Sequence, residues 1–145
     1  MSDANHHDVR NTVRDNYAKI AESGGNSGCC GPADSGCCGP DENFEVPSAE
    51  QMSAFFGYSD AEMAAVPEGA NLGLGCGNPQ AIADMKAGEV VVDLGAGAGF
   101  DAFLAAGKVG PSGHVIGIDM THEMLAKARA NAEKGGYDHR SEAHV

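Results

Sequence analysis

Two groups of residues carry chemistry. The first is the stretch VVDLGAGAGFD at 91–101, followed by Asp119 at the end of GHVIGID. Gly95, Gly97 and Gly99 stand where a backbone must turn sharply and come close to a ligand. Asp119, 26 positions after Asp93, is placed to accept hydrogen bonds from both hydroxyls of a ribose. A dinucleotide fingerprint is G-x-G-x-x-G, and its third glycine would fall at position 100, which is Phe100. The spacing is instead G-x-G-x-G beside Asp93, whose carboxylate repels a pyrophosphate and suits a cation. A nucleoside with a positively charged sulfur, S-adenosylmethionine, fits this pattern, and a nicotinamide dinucleotide does not. Met120 is placed to stack on the adenine, with an ordinary packing role as its alternative. For Asp93 the alternative is a cap on nearby backbone amides.

The second group is the cysteines. Cys29, Cys30, Cys37 and Cys38 occur in a twice-repeated SGCCGP, and Cys76 stands alone in NLGLGCGNP. Thiolates select soft or borderline metals and metalloids. The C-C-x6-C-C spacing departs from the C-x2–4-C pairs of structural zinc, and no histidine pair lies at a matching distance. Cys76 lies between glycines, two positions before a helix start expected at Asn78–Pro79, which favours an accessible, reactive thiol. Redundant thiols in a loop without structure are the bland alternative for the other four. The six histidines form no site: His6, His7, His139 and His144 fall in expected disordered tails, and His114 and His122 at element edges.

Four regions position these groups. Residues 1–47 read as an amphipathic helix, with Val9, Val13, Tyr17 and Ile20 on one face, followed by the Cys/Gly-rich loop. Residues 48–88 read as a helical arm carrying the Cys76 motif. Ser59 and Glu62 make a capping box there, and Asn78 and Gly88 bracket a further helix through Ile82 and Met85. Residues 89–136 alternate buried strand, glycine turn, helix, strand and helix, with Thr121 as a cap and Gly135–Gly136 as a stop. That order is the start of a doubly wound α/β sheet, Rossmann-like and apparently truncated. Residues 137–145 are polar, have no strand pattern and read as a disordered tail. The sheet is therefore expected to be incomplete, as a fragment or as one part of a split protein.

The combination of YSDAEMAAVPEGANLGLGCGNP, VVDLGAGAGFD and GHVIGIDMTHEMLAKARANAEKGG resembles prokaryotic arsenite methyltransferases, from about Val9 to Gly136. The resemblance implies a seven-stranded class I methyltransferase fold and transfer of methyl groups from S-adenosylmethionine to trivalent arsenic held by cysteine thiolates. It implies thioredoxin or glutathione as reductant. It assigns Asp93, Gly95, Gly97, Gly99, Asp119 and Met120 to the cofactor, and Cys76 with one of Cys29, Cys30, Cys37 or Cys38 to arsenic. Tyr17 matches an aromatic position on a first helix that closes over the cofactor, with a plain core role equally open. Family members carry two further arsenic-binding cysteines in their later half, and no cysteine follows Cys76 here. Little or no methyl transfer is therefore expected of this chain alone.

Two other readings compete: a methyltransferase acting on another small molecule, and a non-catalytic thiol protein that binds arsenic or other metals. The formal charge of −12, from 9 basic and 21 acidic residues, disfavours nucleic acid and anionic membranes. No run approaches the roughly 18 apolar residues of a membrane span, and MSDANHHDVR has no signal-peptide core, so a cytoplasmic setting is expected. The acidic excess suits a salt-rich cytoplasm, because screening relieves self-repulsion. The thermal midpoint is expected to rise by roughly 5 °C between 0.1 and 2 M KCl. A maximum at low salt in calorimetry would remove that idea.

Overall fold

In a computed structural model, residues 3–24, 47–137 and 141–144 are described, with side chains from 7–24 and 47–137. Strands β1 (Val90–Leu94), β2 (His114–Ile118) and β3 (Ser141–His144) form a parallel sheet in that order. Val91 lies beside Val115 and Asp93 beside Gly117. Helix α4 (Phe100–Val109) links β1 to β2, and α5 (His122–Gly135) follows β2.

Both crossovers step the same way across the sheet, so right-handed connections put both helices on one face. The packing agrees. Phe103 of α4 and Ala132 of α5 share a cluster with Ala70, while Ala102, Ala105, Ala106 and Val109 pack on Val115 and Val91. The run of alanines lets α4 lie close to the sheet. On the opposite face Val90, Val92 and Leu94 are 67%, 53% and 78% exposed. A parallel sheet is normally covered on both sides, and among the described residues this one is covered on one.

Helix α1 (Asp3–Ser23) is longer than its apolar stripe suggests, and it includes His6 and His7 rather than leaving them in a tail. The stripe is not used evenly. Val9, Val13 and Tyr17 are exposed, whereas Ile20 and Ala21 bury against Leu72, Ala98 and Met124. The helix docks through its C-terminal end, where Lys127 Nζ donates to the Ala21 carbonyl at 3.3 Å. Two short helices, α2 (Ala49–Phe55) and α3 (Asp60–Ala64), open with full capping boxes at Ser48/Gln51 and Ser59/Glu62.

Two expectations are corrected. Asn78 does accept from the Ala81 N–H and Pro79 does open a turn, but that turn is a single 3-10 stretch, Pro79–Ala81, and not a helix reaching Gly88. Ile82 is 88% exposed, so no buried face rewards its continuation. The region after Gly136, expected to be without structure, contributes β3. Ser-Glu-Ala-His lacks any strand signature of its own. Its backbone pairs because the outer edge of β2 carries N–H and C=O groups that need partners. Among the described residues, no helix is long and apolar enough to cross a membrane.

This one-sided packing sorts the valines. Val115→Ala, at a fully buried site, is expected to lower unfolding free energy by about 2 kcal/mol. Val92→Ala, on the bare face, should cost no more than about 0.5 kcal/mol. Urea unfolding of the two variants makes the comparison.

Candidate functional site

The chain leaves β1 at Leu94 and enters α4 at Phe100, so five residues must reverse its direction. Gly95, Gly97 and Gly99 all have positive φ, at 81°, 53° and 96°. The turn is held from two sides. Gly95 N–H and Ala96 N–H donate to the Ile118 carbonyl at 2.7 and 3.1 Å. Gly97 N–H donates to Asp119 Oδ2 at 2.9 Å, and Asn131 Nδ2 donates to the Ala98 carbonyl at 3.1 Å. Gly99 serves packing as well as conformation, since a Cβ there would lie 2.6 Å from the Phe103 ring.

A cleft of about 590 Å³ opens above the C-terminal ends of β1 and β2. Open α/β sheets bind ligands at this end. Asp93, Gly95, Gly97, Asp119 and Met120 line it, and so do Cys76 and Tyr17. Cys76, from the second group, therefore meets the first group in one cavity. Gly99 is not on its surface but behind it, against Phe103. Cys29, Cys30, Cys37 and Cys38 lie outside the described residues. Among the described residues, no group of three or more His, Cys, Asp or Glu side chains is arranged to hold a metal ion.

Charge in the cleft is one-sided. Three carboxylates, Asp93, Asp101 and Asp119, line it, and among the described residues no lysine, arginine or histidine does. Asp119 is well bonded, with Oδ1 accepting from Thr121 N–H at 2.8 Å and Oδ2 from Gly97 N–H. A carboxylate offers about four acceptor positions, so Asp119 keeps capacity for a ligand's hydroxyls. Asp93 differs. Its Oδ2 is buried with no hydrogen-bond partner among the described residues, so it does not cap the turn. Burial, and then the charges of Asp101 and Asp119, push its carboxyl up to about 6.

Beyond the expected residues, Tyr58, Asp101 and Gln80 form a connected group. Tyr58 O–H donates to Asp101 Oδ1 at 2.7 Å, and Gln80 Nε2 donates to the Asp101 carbonyl at 3.1 Å. Their positions are 43 and 21 residues apart, and no local spacing announces such a contact. The helix expected to activate Cys76 is the single turn Pro79–Ala81, so a helix macrodipole does not act on that thiol. Thr121 occupies the N-cap of α5 by its backbone, and its hydroxyl makes no cap bond.

With that geometry in place, similarity to known proteins becomes informative. Residues 85–145 match the methyltransferase domain family, and the parallel sheet with its glycine turn is the opening of that α/β fold. This part of the chain is similar to a methyltransferase domain. Over 138 residues, 92% of its length, the chain is 51% identical to the arsenite methyltransferase of Halobacterium salinarum, of which the match covers 34%. The arsenite methyltransferase of Aquipseudomonas alcaligenes is 49% identical over 51 residues, 32% of this chain and 15% of that protein. A solved structure of an arsenic(III) S-adenosylmethionine methyltransferase from Chlamydomonas reinhardtii aligns at 30% identity and a TM-score of 0.44, over 70% of this chain and 32% of that one. By sequence the chain is similar to arsenite methyltransferases, and it spans about a third of the length of its Halobacterium relative.

The unpartnered carboxylate gives a stability prediction with a definite sign. Asp93 titrates at an ordinary 3.8 when exposed and near 6 in the fold. The native state therefore holds the extra proton between these values, and its stability falls as pH rises across that window. Asp93→Asn is expected to flatten this slope and to stabilise the fold by about 1–2 kcal/mol above pH 6. Urea melts from pH 4 to 8 measure both effects.

Proposed function

We propose that the cleft binds S-adenosylmethionine and presents it to trivalent arsenic held by Cys76, as part of an arsenite methyltransferase. The observation that carries this reading is the half-buried Asp93, whose buried Oδ2 has no partner, in a cavity that no cationic side chain lines among the described residues. A buried anion of this kind is costly until a cation arrives, and it rejects phosphate. Asp119 would accept from the ribose hydroxyls, and the exposed face of Met120 offers an apolar platform to the base. The glycine turn allows the ligand to approach the backbone. Tyr17, from α1, stands at the cleft wall.

When bound, the cofactor supplies an electrophilic methyl group on a positively charged sulfur. The chain's own contribution is placement. Cys76 is exposed and lines the same cavity as Asp93 and the glycine turn, so a metalloid on its sulfur shares the cofactor's compartment. Trivalent arsenic bound by thiolates keeps a lone pair. Its attack on the methyl would break the carbon–sulfur bond, release the cofactor as a neutral thioether and leave arsenic formally pentavalent until a thiol reductant returned it to the trivalent state. The chain need therefore supply proximity and alignment rather than a general base. A thiol from among Cys29, Cys30, Cys37 and Cys38 is the natural second ligand, and reduced thioredoxin or glutathione would keep the thiols available.

Equilibrium dialysis with labelled S-adenosylmethionine and with arsenite tests the reading. Both should bind, and cofactor affinity should rise as pH increases through about 6, because the cation draws the proton off Asp93. Asp93→Asn should lower that affinity about tenfold at pH 7.5 and abolish the pH dependence. Cys76→Ser should weaken arsenite binding at least about tenfold and leave cofactor binding within about twofold. Arsenite binding with no cofactor binding would replace this reading with a thiol protein that only sequesters metalloid.

A further inference from the structure

The segment that carries Cys76 is irregular and belongs to no strand or helix. Glycines flank the thiol on both sides, and regular structure resumes only at Pro79. Such a segment is mobile unless something outside it holds it. Leu74 packs against the Ile20–Met124 cluster on one side of the thiol, and on the other side Tyr58, which is 5% exposed, reaches two partners at once. Its O–H lies 2.7 Å from Asp101 Oδ1 and 3.2 Å from the Gly77 carbonyl, one residue after the thiol. Asp101 is in the first turn of α4, two residues after the last glycine of the turn. Gln80 Nε2 donates to the Asp101 carbonyl and lies 3.4 Å from its Oδ1, and Lys108 Nζ donates to the Gln80 carbonyl at 3.0 Å. The Tyr58 ring meets Phe100 edge to face, with centroids 4.9 Å apart. The two walls of the cleft, one bearing the thiol and the other bearing the glycine turn, are joined through this group.

We propose that Tyr58 is a positioning residue, whose hydroxyl, shared between Gly77 and Asp101, fixes the Cys76 segment against the start of α4 and so sets the thiol over the glycine turn. The inference rests on the proposed roles of Cys76 and the cleft, whose wall Tyr58 also lines. The phenol is suited to the task. Burial, followed by the hydrogen bond and charge of Asp101, holds it above its usual range, so it stays a donor at any working pH. Asp101 is raised by burial and lowered by the bonds from Tyr58 and Gln80, as expected of an acceptor whose partners are already in place. Phenylalanine at position 58 would keep the ring packing and lose the single proton shared between Asp101 at 2.7 Å and Gly77 at 3.2 Å.

The test uses the full chain with two readouts. Hydrogen exchange is followed by mass spectrometry for residues 74–78 and, separately, for 91–104. Tyr58→Phe is expected to speed exchange in the first segment by about tenfold and to leave the second unchanged. The second readout is alkylation of Cys76 by iodoacetamide, with and without S-adenosylhomocysteine, in a background where the other four cysteines are serine. In that background the nucleoside should protect Cys76. Tyr58→Phe should lose most of that protection while its affinity for the nucleoside, from calorimetry, stays within about twofold. Asp101→Asn, which keeps the acceptor oxygen, should retain slow exchange and protection.

Unchanged exchange at 74–78 in Tyr58→Phe would overturn the proposal, and so would acceleration in both segments, which would make Tyr58 a support of the whole fold. Loss of slow exchange in Asp101→Asn would overturn the link through Asp101. If the unsubstituted Tyr58 protein binds no nucleoside, the reading of the cleft fails instead. The exchange comparison still decides whether Tyr58 holds the segment.

Discussion

Everything in the cleft depends on how the chain passes from β1 into α4. In five residues it must turn from strand to helix and leave the strand ends open above. Side chains would fill the space and oppose the backbone angles, so glycines make the turn. Glycine alone would leave it loose, since it loses more conformational entropy on ordering than any other residue. The remedy is hydrogen bonding from the neighbouring strand and helix. The Ile118 carbonyl and the Asp119 carboxylate accept from Gly95, Ala96 and Gly97, and Asn131 holds Ala98 from α5. Asp119 thus has a structural bond and spare acceptor capacity, and the same contact that fixes the turn aims a carboxylate into the cavity.

The carboxylates also divide the energetic roles. Asp119 is satisfied by two backbone donors, whereas Asp93 has a buried oxygen with none. Three acidic groups around one cavity, with no compensating cation lining it among the described residues, destabilise the empty protein. Proteins tolerate such an arrangement where a ligand relieves it. The overall acidity of the chain does not explain it, because surface carboxylates are screened by solvent and salt while Asp93 is not.

The bare face of β1 belongs to the same logic of incomplete satisfaction. Val90, Val92 and Leu94 point away from α4 and α5 into solvent. Their β-branched run reads as a strand buried on both sides, and the described residues bury one.

The strand–glycine turn–helix–strand order, the capping boxes at Ser59 and Glu62, and the stop at Gly136 were all legible in the sequence. Each is a local instruction: backbone angles that glycine permits, a side chain reaching an amide three residues on, a β-branched run. The pairing of Asp119 with the turn was also implied, because strand and turn lengths leave it little choice. Tertiary structure decided what local rules could not. Whether Asn78 and Pro79 start a helix depended on whether Ile82 found a core, and it did not. Ser141–His144 became a strand because β2 had an edge to satisfy. The α1 stripe was used at Ile20 and left exposed at Val9, since only its end reaches Met124. The meeting of Cys76 with Asp93, and the bridge through Tyr58 and Asp101, join residues far apart in the chain, where proximity is set by packing and not by spacing.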